Sequence, residues 1–236
     1  MRLLSVFLMM GLVSLPPFDA MAGGRAELAA LSRAFDESVL RNDDDNAKPA
    51  SVRKWTGPIR LAFTNASRAP GLVDATRKAI GLVAAETATI TVVDVAADDG
   101  SANFVVSFDE NESASGKRNC FARVWFKNWA IQRAELKINP AYGTSIDGCI
   151  IHEGTHAFGF LSHPHGADSV LSYVYKRRAL TPVDILLIRT LYSPRLQVGT
   201  KPAAASQLAC RILGELTQTA AADIEAVCAD RKGPSI

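Results

Sequence analysis

The chain has four histidines, and all of them fall between positions 152 and 165. His152 and His156 are four residues apart, so on a helix both imidazoles project from one face and can share a single ion. Glu153 adjoins the first of them and can reach water held at that ion. His-Glu-x-x-His is the spacing by which zinc hydrolases hold their metal and supply a general base. Zinc is inferred from the ligand type, since other divalent ions also accept imidazole donors. Three residues further on, Gly159 lets the chain leave the helix sharply, in a left-handed conformation if needed. That turn can bring a later side chain back to the ion. His163, His165 and Asp168 follow within reach of such a turn.

Several elements must position these residues. Residues 25–41 carry apolar side chains at helical spacing and read as an amphipathic helix that packs on the domain. The run Asn42-Asp43-Asp44-Asp45-Asn46 ends it and reads as a solvated linker, with calcium binding the lesser alternative. Ile59–Thr64 reads as a strand and Gly71–Ala88 as a helix. Four β-rich runs follow, Thr89–Val95, Asn103–Phe108, Phe121–Lys127 and Ala134–Ile138, the last closed by Asn139-Pro140. Ser145 or Asp147 caps the helix carrying His152 and His156, which runs to about Phe158. Thr181-Pro182 starts a helix over Val183–Leu191, and two short helices, about Ala205–Leu216 and Ala220–Ala229, form a C-terminal hairpin. The order of strand, helix, four strands, helix, helix is α+β rather than alternating α/β.

Composition narrows the function classes. The chain has 236 residues, 48% of them apolar, and a formal net charge of +2. It is long enough to bury a core and too apolar for disorder. Charge is nearly balanced without a Lys/Arg block, which argues against a nucleic-acid partner. Arg2, the apolar run Leu3 to Leu15 and the small-x-small Ala20-Met21-Ala22 have the layout of a secretory signal peptide cleaved after Ala22. No later stretch has the length of a transmembrane helix. The expected location is therefore periplasmic or secreted, where four cysteines pair into two disulfides. Three connectivities are possible, and Cys120–Cys149 with Cys210–Cys228 is favoured because sequence order groups them. The expected division is 1–22 signal peptide, 23–56 N-terminal helix and linker, 57–198 catalytic domain and 199–236 helical hairpin.

The segment from His152 onward resembles the metzincin metalloproteases, the matrixins in particular. Their pattern is HExxHxxGxxH, then a tight turn under the metal carrying Ser-x-Met-x-Tyr, then a helix ending near Leu-Tyr. Here the matching residues are His152-Glu153-Gly154-Thr155-His156-Ala157-Phe158-Gly159, then Ser169-Val170-Leu171-Ser172-Tyr173, then Leu180-Thr181-Pro182-Val183-Asp184 through Leu191-Tyr192. The resemblance covers roughly Ile59 to Tyr192. The chain is also similar to a bacterial exported family of unknown function with a Trp, here Trp55, before the first strand. Two positions depart from the metzincin pattern. Ser162 stands where the third histidine would fall, one residue before His163, and Leu171 replaces the methionine of the turn, an apolar exchange of similar size. A gluzincin-type site needs a downstream Glu ligand, and the first Glu after Glu153 is Glu215.

The resemblance implies a zincin domain: a twisted, mostly parallel sheet with an antiparallel edge strand, and an HExxH active-site helix. It implies Zn2+ held by His152, His156 and His163, with Glu153 as general base. Tyr173 is either a metal-ligating or oxyanion-stabilising tyrosine or a plain turn residue. The strand Phe121–Lys127 would pair with an extended peptide or protein substrate. The reading is an exported zinc-dependent endopeptidase. The alternatives are a non-catalytic zinc-containing binding module of the cell envelope and a zinc hydrolase of a non-peptide bond. Glu153 argues against the module, because a purely structural site needs no base and prefers four protein ligands.

Overall fold

Alternation along three neighbouring strands builds the core of the protein. Ile59 and Leu61, Phe104, Val106 and Phe108, and Ala134, Leu136 and Ile138 are all buried, while the residues between most of them are part-exposed. Strands with a period of two thus present one apolar face to the helices. The computed structural model describes residues 24–43, 48–109, 120–141, 146–172 and 177–234. The signal peptide, Ser145 and Tyr173 of the sequence reading lie outside these residues.

The described elements are α1 (Arg25–Val39), β1 (Arg41–Asn42), β2 (Lys48–Pro49), β3 (Ile59–Thr64), α2 (Pro70–Thr87), β4 (Val92–Asp94), β5 (Phe104–Phe108), β6 (Cys120–Lys127), β7 (Ala130–Ile138), α3 (Ile146–His156), α4 (Pro182–Leu191), α5 (Pro202–Leu216) and α6 (Ala221–Cys228). The main sheet runs β4-β3-β5-β7-β6. Its pairs are parallel except the last, in which β6 lies antiparallel to β7 and forms the edge. The fold is therefore α+β with a mixed, mostly parallel sheet, as expected. β1 and β2 form a separate small antiparallel ribbon.

β7 begins four residues earlier than its expected start. Gln132 and Arg133 are exposed there, so the stretch lacks the apolar alternation of a buried strand. Hairpin pairing with β6 holds it instead, through a two-residue turn in which Asn128 and Trp129 both have positive φ. β4 is shorter than expected because it pairs with β3 over three residues only.

The favoured disulfides are present. Cys120–Cys149 ties the edge strand β6 to α3, and Cys210–Cys228 staples α5 to α6. The two ends of the chain clasp each other. Val52 donates to the Thr200 carbonyl at 3.0 Å and its own carbonyl accepts from Gly199 at 2.9 Å. On α1, the buried Asp36 accepts from Arg231 Nη2 at 2.5 Å and from Ser206 Oγ at 2.8 Å. Burial pushes the Asp36 carboxyl up from its ordinary range against the opposing pull of Arg231. Lys54 Nζ donates to the carbonyls of Leu191, Ser193 and Leu196 at 2.8, 3.2 and 2.6 Å, closing the C-terminal end of α4.

Gly159 ends the α3 segment as the sequence requires, with φ +107°. A Cβ there would sit 2.2 Å from the Arg53 carbonyl oxygen, a backbone atom that cannot step aside. Gly159→Ala should therefore lower stability by about 2–4 kcal/mol, the sum of left-handed strain and a backbone clash. Urea unfolding of the variant beside the wild type measures it.

Candidate metal centre

α3 carries His152 and His156 one turn apart, and Cys149 and Ile150–Ile151 bury the helix behind them. The helix is closed by groups from distant segments. Trp55 Nε1 donates to the Ala157 carbonyl at 2.9 Å, and Tyr192 Oη donates to that of Phe158 at 2.9 Å. These two carbonyls have no helical partner of their own, so Trp55 and Tyr192 satisfy buried acceptors that would otherwise be stranded. Burial raises the Tyr192 phenol far above its ordinary range, which keeps it a donor.

After Gly159 the chain doubles back along α1. Leu161 and Ser162 donate to the Ser38 carbonyl at 2.9 and 3.2 Å, and Asp43 donates to the Leu161 carbonyl at 3.3 Å. This delivers His163 to the open face of α3. The three Nε2 atoms then stand 3.0 Å (His152–His156), 3.2 Å (His156–His163) and 3.2 Å (His152–His163) apart.

Each ring is turned by its other nitrogen. His152 Nδ1 faces the Val170 carbonyl at 2.7 Å, His156 Nδ1 faces the Phe160 carbonyl, and His163 Nδ1 faces Asp43 Oδ2 at 2.8 Å. All three partners are acceptors, so each Nδ1 carries a ring proton and each Nε2 is turned to the centre. Burial lowers the His152 pKa to about 4. His156 lies well below its ordinary value for the same reason. Lone pairs converging at such distances repel one another unless a cation lies between them. A tetrahedral ion with metal–nitrogen bonds near 2.05 Å would set its ligand nitrogens about 3.3 Å apart. The donor set fits a divalent metal in both spacing and protonation, and these three histidines are the group that could hold one among the described residues.

The remaining candidates are engaged elsewhere. His165 is exposed, its backbone N–H donating to Glu37 at 2.7 Å, and Asp168 is held by Arg177 Nε and Nη2, both at 2.6 Å. Ser162, at the metzincin position of the third ligand, donates to Asp43 Oδ1 at 2.5 Å and supports His163 indirectly. Leu171 is buried in the turn after the site. That turn is fixed by the buried Asp184, which accepts from Ser169 Oγ at 2.5 Å and from Val170 N at 3.1 Å. Asp184 also completes a capping box with Thr181 at the start of α4. One carboxylate thus caps a helix and aims the carbonyl that orients His152.

Glu153 is nearly buried, and its Oε2 accepts from the Ala122 amide of β6 at 2.8 Å. The carboxylate therefore lies between the histidine helix and the edge strand. The residue that sequence reasoning missed is Asp43. It sits in the acidic run that reads as a solvated linker, of which 44–46 lie outside the described residues, yet its own carboxylate grips Ser162 and His163, a carboxylate–histidine pair of the kind that orients metal ligands. The acidic composition was visible, but nothing local couples Asp43 to a residue 120 positions later.

Comparison with known proteins supplies a family. A family of proteins of unknown function, DUF2927, matches residues 28–209. The chain belongs to this family. No curated protein matches it. The DUF2927 match runs from α1 into α5, so it takes in Asp43 together with the three histidines, Glu153 and Asp184.

Two outcomes follow for this DUF2927 chain. Asp43→Ala should weaken divalent-metal affinity about 10–100-fold with the fold retained, measured by competition with a chromophoric chelator. The metal-free protein should also be acid-sensitive. The unfolded chain binds a proton at His152 near pH 6.5, whereas the folded chain does so only near 4. Stability present above pH 6.5 is therefore lost as pH falls towards 4, by about 3 kcal/mol from His152 alone. Urea midpoints across that range, with and without metal, test it.

Proposed function

We propose that the protein is an exported zinc-dependent endopeptidase. The observation that carries this reading is the triangle of three Nε2 atoms with Glu153 beside it on the same helix. Three protein ligands leave a coordination position open, as catalytic zinc sites do and structural ones do not. The metzincin resemblance of the sequence from His152 to Tyr192 supports it, as does an antiparallel edge strand next to the base. Export is supported by two disulfides and by the signal-like first 22 residues. No helix among the described residues is long and apolar enough to cross a membrane.

His152, His156 and His163 would hold the zinc, which when bound supplies Lewis acidity that polarises an acyl oxygen and acidifies water. The chain's own residues do the rest. Glu153 accepts the proton of the attacking water on a carboxylate oxygen and returns it to the departing amine. The Ala122 amide holds the other end of that carboxylate, so the base keeps one orientation through the transfer. Val170, Phe160 and Asp43 keep the three rings in the tautomer a cation needs. β6 offers its outer edge to an extended peptide, which fixes the scissile bond against rotation. Tyr173 is assigned to the metal or the oxyanion, against a plain turn role, by the metzincin resemblance alone.

Incubating the mature protein with a diverse peptide mixture, read by mass spectrometry, tests the proposal. New fragments should appear with the wild type and vanish with chelator. They should fall by about 100- to 10,000-fold in Glu153→Ala, the range expected when a general base is removed. A folded, metal-loaded protein that cuts nothing would overturn the endopeptidase reading in favour of a binding module or a non-peptide substrate.

A further inference from the structure

β6 leaves the candidate site carrying an unusual set of side chains. From Ala122, whose amide meets Glu153, the strand runs outward past Arg123, Trp125, Phe126 and Lys127 to the turn at Asn128-Trp129. Trp125, Phe126 and Trp129 are about 40% exposed, which is uncommon for three large aromatic residues in one short stretch. Trp129 also adopts φ +68°, a conformation that a bulky residue seldom takes and that glycine would accept without strain. It is held there against Gly199, where a Cβ would come within 2.8 Å of the indole. The two-residue turn between β6 and β7 imposes that conformation and holds the indole at the surface.

Cations lie over these rings. The Arg53 guanidinium is 4.0 Å from the Phe126 ring centre and 5.6 Å from that of Trp129, and Lys201 Nζ is 5.7 Å from Trp129. Arg123 is 5.9 Å from the Trp125 ring centre. The stretch from Ala122 to Trp129 is roughly 20 Å of extended chain and hairpin turn, and it is continuous with the position of the base. A linear anionic ligand meets cations along the whole length of this edge. A flat lipid surface would meet them at the turn alone.

We infer that the site takes an acidic polypeptide: an extended chain paired along β6 sets carboxylates against the exposed Arg123 and Lys127, which follow Ala122 by one and five residues on the side of the β6–β7 turn. This rests on the endopeptidase reading for where the peptide lies. Apolar or aromatic residues between the carboxylates pack on Trp125 and Phe126. Opposite charges along the strand set the register of the bound chain, and a lysine-bearing peptide meets repulsion at the same positions.

Binding, separated from turnover, tests the inference. The full mature chain carrying Glu153→Gln is titrated with two ten-residue peptides identical except for Glu or Lys at four alternate positions, followed by tryptophan fluorescence. The Glu peptide should bind at least about 10-fold more tightly at low salt, and the preference should shrink as salt is raised. The exposed double variant Arg123→Glu with Lys127→Glu should invert it. Equal affinity for the two peptides overturns the inference, as does a preference that the double variant leaves unchanged. Capture of phosphatidylglycerol vesicles with neither peptide bound overturns it too, in favour of a membrane surface. Hydrolysis is scored separately on the wild type. Tight binding of the Glu peptide without any cleavage keeps the inference and removes the endopeptidase reading. Equal cleavage of both peptides does the reverse.

Discussion

Three imidazole nitrogens, each presenting a lone pair to the other two at 3.0–3.2 Å, form an arrangement that no neutral protein interior favours by itself. It exists because the opposite nitrogen of each ring is held by an acceptor, and those acceptors come from three separate places. The Phe160 carbonyl is supplied by the turn at Gly159, the Val170 carbonyl by the loop that Asp184 pins to α4, and the Asp43 carboxylate by the segment after α1. The tertiary structure therefore serves largely to hold these acceptors in position against the mutual repulsion of the nitrogens. Neutral His152 and His156 make the centre a trap for a cation rather than for a proton.

The sheet serves the same end from the other side. Its antiparallel edge strand is tied to the histidine helix through Cys120–Cys149, and one of its amides orients Glu153. His152, His156 and Glu153 thus share one helix, with His163 brought to it by the following loop, but they are oriented from opposite directions, by loops on one side and by a strand on the other. That separation lets Glu153 keep its orientation through a hydrogen bond independent of those that set the three histidines.

Most of this was legible in the sequence where the physics is local. Helical spacing placed α1, α2 and α4 closely, and β-branched alternation placed β3 over its six residues. His152, Glu153 and His156 were legible because four-residue spacing on a helix is itself a geometric statement. Gly159 was legible because a sharp exit needs a residue without a Cβ. The start of β7 was not, because Gln132 and Arg133 are exposed and only the pairing with β6 makes them strand. Asp43 was not, because its acidic neighbours look like any solvated run and its partners are far away in the chain. Trp55 and Tyr192 were noted as landmarks, but their work of closing the end of α3 depends on where three segments cross.

The bond between Asp43 and His163 has a consequence for the timing of assembly. It joins residues 120 positions apart, and the Asp43 amide also donates to the Leu161 carbonyl across a similar gap. Contacts of such long sequence separation form late, after the loops that close them. A chain still emerging, or threaded unfolded through a membrane, holds the helix histidines but lacks the finished trap. The centre is finished only when the segment after α1 has met the loop carrying His163, so any chemistry it performs is withheld until those distant parts of the chain have folded together.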